Sequence, residues 1–154
     1  MELDAEHGRV VMSEVPAGFE PIFRVSPISE LLGPVYYRGT GDELSLGLRA
    51  QAKHANLRGS VHGGVLAAIA DMALGYTLAF AEDPPMGLVT ANLTIDYAGS
   101  AKIGDWMETR TDVQRRGGRL AFANCYIYVR EQRIVRASGV FLISDWPADT
   151  KTTE

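Results

Sequence analysis

The sequence predicts an α+β fold, one long central helix wrapped by a curved antiparallel β-sheet. Three observations predict it. Residues from Gly63 to Ala81 form an apolar run broken by a single charge, Asp71. Short apolar-polar alternation follows in four successive segments, the signature of strands with one covered face. Two of the connections between those segments, Gly117-Gly118 and Glu131-Gln132, have hairpin length.

The elements follow in order. Residues 1–40 read as an irregular arm, because Pro16, Pro21, Pro27 and Pro34 punctuate its short apolar runs. A short helix near Ile28–Leu32 fits between them. Residues 41–146 read as a single domain and 147–154 as a C-terminal tail. Within the domain, Glu43 to Arg49 alternates Leu44, Leu46 and Leu48 with small or polar residues, as a strand does. The Gly63–Ala81 run approaches the length of a membrane span, but a mid-span carboxylate would cost roughly 2.5–3.5 kcal/mol there. A helix apolar on nearly all sides is one that protein covers, and Asp83-Pro84-Pro85 breaks it. Leu88–Tyr97 then sets Val89, Ala91, Leu93, Ile95 and Tyr97 on one face and Thr90, Asn92, Thr94 and Asp96 on the other. Gly104–Gln114, Arg119–Arg130 and Arg133–Ser144 complete an expected four-stranded meander.

Size and charge bound the function. A chain of 154 residues, 46% apolar and 22% charged, is long enough for one self-sufficient core. A net charge of −4 disfavours a dedicated nucleic-acid binder. One cysteine, Cys125, cannot form an intrachain disulfide and reads as a small core residue. MELDAEHGRVVMSEV carries acids and no apolar stretch, so the expectation is a cytoplasmic protein without a secretory signal. The charge is uneven: Lys102, Arg110, Arg115, Arg116, Arg119, Arg130, Arg133 and Arg136 outnumber the acids of residues 101–136. Such a basic region on an acidic chain suits a small polyanion, or is a solvated strand face. His7, His54 and His62 share no ligand spacing, so neither a metal nor a cofactor is implied.

Asp71 is the residue that structure alone does not account for. A carboxylate in a covered helix must pair, protonate or serve a site. Gly64, Ala68 and Gly75 share its stripe, leaving room for something to approach. An arginine from a strand is the plain alternative partner. Upstream, Asn56 and the His62-Gly63-Gly64 turn open the helix with accessible N–H groups and the positive end of its dipole. Those groups can hold an oxyanion, and His62 can be a cap or a catalyst.

The spacing Asn56-x5-His62-Gly63-Gly64-x6-Asp71, followed by the strand containing Thr90, resembles hotdog-fold acyl-CoA thioesterases of the phenylacetate-degradation type. Tyr97-Ala98-Gly99-Ser100-Ala101-Lys102-Ile103-Gly104-Asp105 is similar to that family's strand-to-strand turn. The resemblance spans Leu44 to Ser144. It implies Asp71 as general base or nucleophile and the Gly63 N–H as donor to the thioester oxygen. It further implies Asn56 as a positioning group, His62 as the motif histidine and Thr90 as a holder of the water. A homodimer assembling into a homotetramer is the implied partner arrangement. Gly64 is a candidate for substrate contact, and Arg115, Arg116 and Arg119, around the Gly117-Gly118 tip, are candidates for the CoA phosphates. The alternatives are a hydratase or dehydratase on the same fold, whose acid-base pair usually sits elsewhere, and a non-catalytic acyl-CoA sensor.

Overall fold

The computed structural model describes residues 14–145. His7, the start of the arm and the tail at 147–154 lie outside them. The chain runs β1 (Glu20–Pro21), α1 (Pro27–Leu32), β2 (Val35–Arg38), β3 (Ser45–Arg49), α2 (Gly63–Ala79), β4 (Gly87–Tyr97), β5 (Trp106–Arg116), β6 (Leu120–Val129) and β7 (Gln132–Ser144). The strands make one seven-stranded sheet in the order β1-β2-β3-β5-β6-β7-β4, every neighbour antiparallel.

Three expectations are corrected. The arm is less irregular than its prolines suggest, since β1 and β2 join the sheet through β3. The short helix is present, started by Pro27 and by a reciprocal cap. Ser29 N–H donates to Ser26 Oγ at 3.3 Å, and Ser26 N–H donates to Ser29 Oγ at 2.8 Å. The four downstream strands are not a simple meander. β5, β6 and β7 follow one another, but β4 crosses over to pair with β7 and ends as an edge. The third correction concerns phase. β4 carries a bulge between Thr90 and Asn92, where Thr90 opposes Phe141 and Asn92 opposes the adjacent Val140. Ala91 is therefore an extra residue, and a bulge of this kind reverses the alternation. Thr90 shares the helix-facing side with Leu93, Ile95 and Tyr97, and Val89 turns outward, 54% exposed.

α2 lies across the concave face. Leu66, Ile69, Ala70, Ala73, Leu74 and Leu78 are buried against Ala121, Ala123, Cys125 and Ile127 of β6 and Ala137 and Phe141 of β7. Each fully covered Leu or Ile contributes roughly 1.5–3 kcal/mol of burial. The sheet meets the helix with small residues, which lets it come close. A Cβ on Gly139 would stand 2.8 Å from Leu74 Cδ1, so this position has no room for one. β3 is anchored to β5 by Thr109, whose Oγ1 accepts Leu46 N–H at 2.8 Å and whose carbonyl accepts Ser45 Oγ–H at 2.6 Å. The apolar helix is covered on one side only: Gly64, Ala67, Ala68, Asp71, Met72 and Gly75 retain exposure. No helix of the described residues is long and apolar enough to cross a membrane.

Candidate active site

Asp71 is half-exposed rather than enclosed, and its partner is a hydroxyl rather than an arginine. Thr90 Oγ1–H donates to Asp71 Oδ1 at 2.8 Å. The bulge at Ala91 makes this contact possible, because unbroken alternation would carry Thr90 to the outer face. One carboxylate oxygen is thereby oriented, and Oδ2 is left for chemistry. Small neighbours on the stripe, Ala68 and Gly75, keep the approach open.

The start of α2 is built by its own residues. His62 caps it: Gly64 N–H donates to His62 Nδ1 at 2.9 Å, which fixes the ring. Val65 and Leu66 N–H both donate to the His62 carbonyl. The Gly63 N–H is therefore the donor left at the positive end of the helix, whereas the Gly64 N–H is already spent on the cap. Gly64 itself is exposed beside it, so any contact it makes with a substrate is not through its N–H. Tyr97, which the sequence did not single out, covers the same glycine. Its hydroxyl donates to the Gly63 carbonyl at 2.9 Å, and a Cβ on Gly63 would meet its ring at 3.3 Å.

Asn56 sits in a tight loop closed by the Ala55–Val61 bridge. Its Oδ1 accepts the N–H groups of Arg58 at 2.8 Å and Ser60 at 3.2 Å, so the chemistry left to it is that of the Nδ2 donor. Behind the loop lies His54, only 1% exposed. Gln51 N–H donates to its Nδ1 at 3.0 Å, which makes Nε2 the protonated nitrogen, and Nε2–H donates to the Leu32 carbonyl at 2.7 Å. Its own carbonyl accepts His62 N–H at 2.8 Å. One buried imidazole thus ties α1 to the loop that presents Asn56 and His62.

Burial pushes the His54 imidazole below its ordinary value, more than the Leu32 carbonyl raises it, and Lys53 lowers it further. The unfolded chain therefore binds a proton that the folded chain refuses. Stability is expected to be full above the ordinary histidine value of about 6.5 and to fall as the pH drops below it. Thermal melts of the wild type and of His54→Gln between pH 7.5 and about 5 check this. The wild type should lose more of its melting temperature over that interval than the variant.

Within one chain these residues fall into two separate groups. Asp71 and Thr90 are one; Asn56, His62 and Gly63 are the other. Gly63 and Asp71 stand eight residues apart on α2, a rise of about 12 Å. The basic residues of the β5–β6 hairpin do not join either. Arg115 opposes Phe122 after a second bulge, at Gln114, and faces the outer side with Val140 and Asn92, away from Thr90. Arg116 faces inward but is committed to Asp42, whose carboxyl the bound guanidinium holds below its usual range. Arg119 is exposed at the hairpin. Elsewhere in the basic region, Arg110 lies over Tyr128 at 4.1 Å, Arg133 over Tyr126 at 4.1 Å, and Arg136 pairs with Asp96. Half of the eight basic residues in 101–136 are thus stacked on a ring or paired with a carboxylate. Among the described residues, no three of His, Cys, Asp and Glu gather where they could hold a metal.

The architecture is thus a helix laid across a curved antiparallel sheet, with a carboxylate and a helix-start N–H on one helix. Residues 58–135 match the model of the thioesterase superfamily. The chain is 44% identical over 131 residues to the Pseudomonas aeruginosa protein named "Putative esterase PA0474", covering 84% of this chain and 98% of that one. It is 29% identical over 83 residues to mouse acyl-coenzyme A thioesterase 13, covering 54% of this chain and 59% of the mouse protein. The PaaI protein from the phenylacetic acid degradation operon of E. coli superposes with a TM-score of 0.71 at 19% identity, covering 78% of this chain and 86% of PaaI. The chain belongs to the thioesterase superfamily and has the hotdog fold. It is a hydrolase of that superfamily.

Proposed function

We propose that the protein hydrolyses acyl-CoA thioesters to free CoA and a carboxylic acid, at a site that two chains share. The observation that carries this reading is the Thr90-held carboxylate of Asp71 on the same helix as the Gly63 N–H. The Gly63 N–H, at the positive end of the dipole, receives the negative charge that develops on the thioester oxygen. The free oxygen of Asp71 takes a proton from the attacking water, or attacks the carbonyl carbon itself. In the first route the C–S bond then breaks and the proton taken from water passes to the departing sulfur. In the second the thiolate leaves, and water then hydrolyses the acyl–Asp71 anhydride, supplying that proton and releasing the acid. Asn56 Nδ2 is a neutral donor that, in this reading, positions the thioester or the water. The name of the mouse relative supports CoA as the carrier.

A reacting carbonyl must sit about 3 Å from both its oxyanion donor and its attacking group, and one helix cannot place Gly63 and Asp71 so. β4 supplies the solution. It is an eleven-residue edge strand with most of its residues exposed, the kind of edge that pairs with another chain. Two copies paired antiparallel near Leu93 set the Tyr97 end of one, with Gly63, against the Thr90 end of the other, with Asp71. A two-fold axis then makes two equivalent sites.

A panel of acyl-CoA thioesters with a thiol reagent tests the activity. The chain's own thiol does not interfere, because burial pushes Cys125 up to about 12 and keeps it protonated. Release of CoA at a catalytic rate is the expected result. Hydration of an enoyl thioester without thiol release favours the hydratase reading, and tight CoA binding without turnover favours a sensor.

A further inference from the structure

We infer that the phosphates of CoA are gripped by Arg58 and Lys102, at the tip of the loop that carries Asn56. The inference rests on the acyl-CoA reading above and assigns the nucleotide end of that substrate. The Ala55–Val61 bridge makes residues 56–60 a projecting loop, and Gly59, with φ of 78°, turns its tip. Leu57 is 109% exposed, so this tip stands clear of the body. Arg58 lies beside it, exposed, its N–H fixed on Asn56 Oδ1. Lys102 meets the other side of the loop. Ser60 and Lys102 form an antiparallel bridge, and Val61 N–H donates to the Ala101 carbonyl at 2.9 Å. Bridged residues stand about 5 Å apart at Cα. The backbones that carry the two cations are therefore neighbours at this loop.

The nearby acid is already occupied. Asp105 accepts the Lys102 backbone N–H at 2.8 Å and also faces the Arg49 guanidinium, whose proton affinity burial lowers and the Asp105 charge only partly restores. The tip is also set at a useful distance. Arg58 stands five positions before Gly63, so the two lie at most about 18 Å apart, within the reach of an extended pantetheine arm. The β5–β6 hairpin tip is set far from this loop. Lys102 precedes β5, and the Gly117-Gly118 tip lies beyond its other end, on the order of 33 Å along the strand. At that tip Arg115 faces the wrong side and Arg116 is held by Asp42.

The test compares an acyl-CoA with the same acyl group on pantetheine, which lacks the phosphates. The enzyme should prefer the CoA thioester by at least ~10-fold in kcat/KM, and added salt should shrink that preference. Arg58→Gln with Lys102→Gln should collapse the preference, mainly through the KM of the CoA thioester. Arg115→Gln should keep it. A preference that survives the double substitution, or a wild type that shows none, overturns the assignment while leaving the hydrolase reading intact. A wild type that releases thiol from neither substrate overturns the reading beneath it.

Discussion

Asp71→Asn should lose at least ~10²-fold in kcat on any thioester the wild type hydrolyses, while keeping its fold and its affinity for CoA. Asparagine preserves the shape and still accepts the Thr90 hydroxyl through its oxygen, so the helix and β4 stay in register. What it removes is the basic, anionic oxygen. The half-exposed setting of Asp71 means that no buried charge is left unpaired by the change, and stability should move little. Steady-state kinetics and a thermal melt on the same preparation separate the two effects. Near-wild-type turnover would remove Asp71 from the mechanism. Thr90→Val offers a graded companion, since it loses only the group that orients the carboxylate.

The second large effect tests the shared site. Gly63→Pro deletes the N–H that remains at the helix start and should cost ~10²–10³ in kcat. Proline suits the first helical position, and His62 before it already has an extended ψ of 136°. The added ring atoms press on Tyr97, which is 52% exposed and has room to give. Gly63→Pro and Asp71→Asn should each be inactive as homodimers. Refolded together, they form mixed dimers with one doubly damaged site and one intact site. Equal mixing should return about a quarter of the wild-type activity, since half the dimers carry one good site of two. Mixed dimers that form and stay inactive would exclude the two-chain geometry.

The sequence shows some of this plainly and hides the rest for physical reasons. The helix and its lone carboxylate are visible because charge and apolarity are local properties, and the His62-Gly63-Gly64 turn is visible because glycines at a helix start are local too. The side on which Thr90 emerges is not. One extra residue at Ala91 reverses the alternation, and nothing in Val89-Thr90-Ala91-Asn92 distinguishes a bulge from a regular strand. The pairing of β4 with β7 is hidden because partners such as Thr90 and Phe141 are far apart in the chain. Basic residues near a glycine hairpin look like a phosphate site until Asp42, from a separate segment, is seen to occupy Arg116. His54 was passed over because a single histidine carries no signal of burial. Its role depends on Leu32 and Gln51, which the fold alone brings to its two nitrogens.

The crossover of β4 to β7 also sets an order of events during synthesis. A ribosome delivers α2 and β4 well before β7, the strand that must lie between β6 and β4. Until β7 emerges, β4 has no ladder partner within its own chain, and the apolar side of α2 lacks part of the surface that later covers it. Pairings this distant in sequence form late, and the apolar surface waiting for them is open to wrong partners in the meantime. The nascent chain thus carries the stretch from Gly63 to Thr90 without its full covering until the last strand is made.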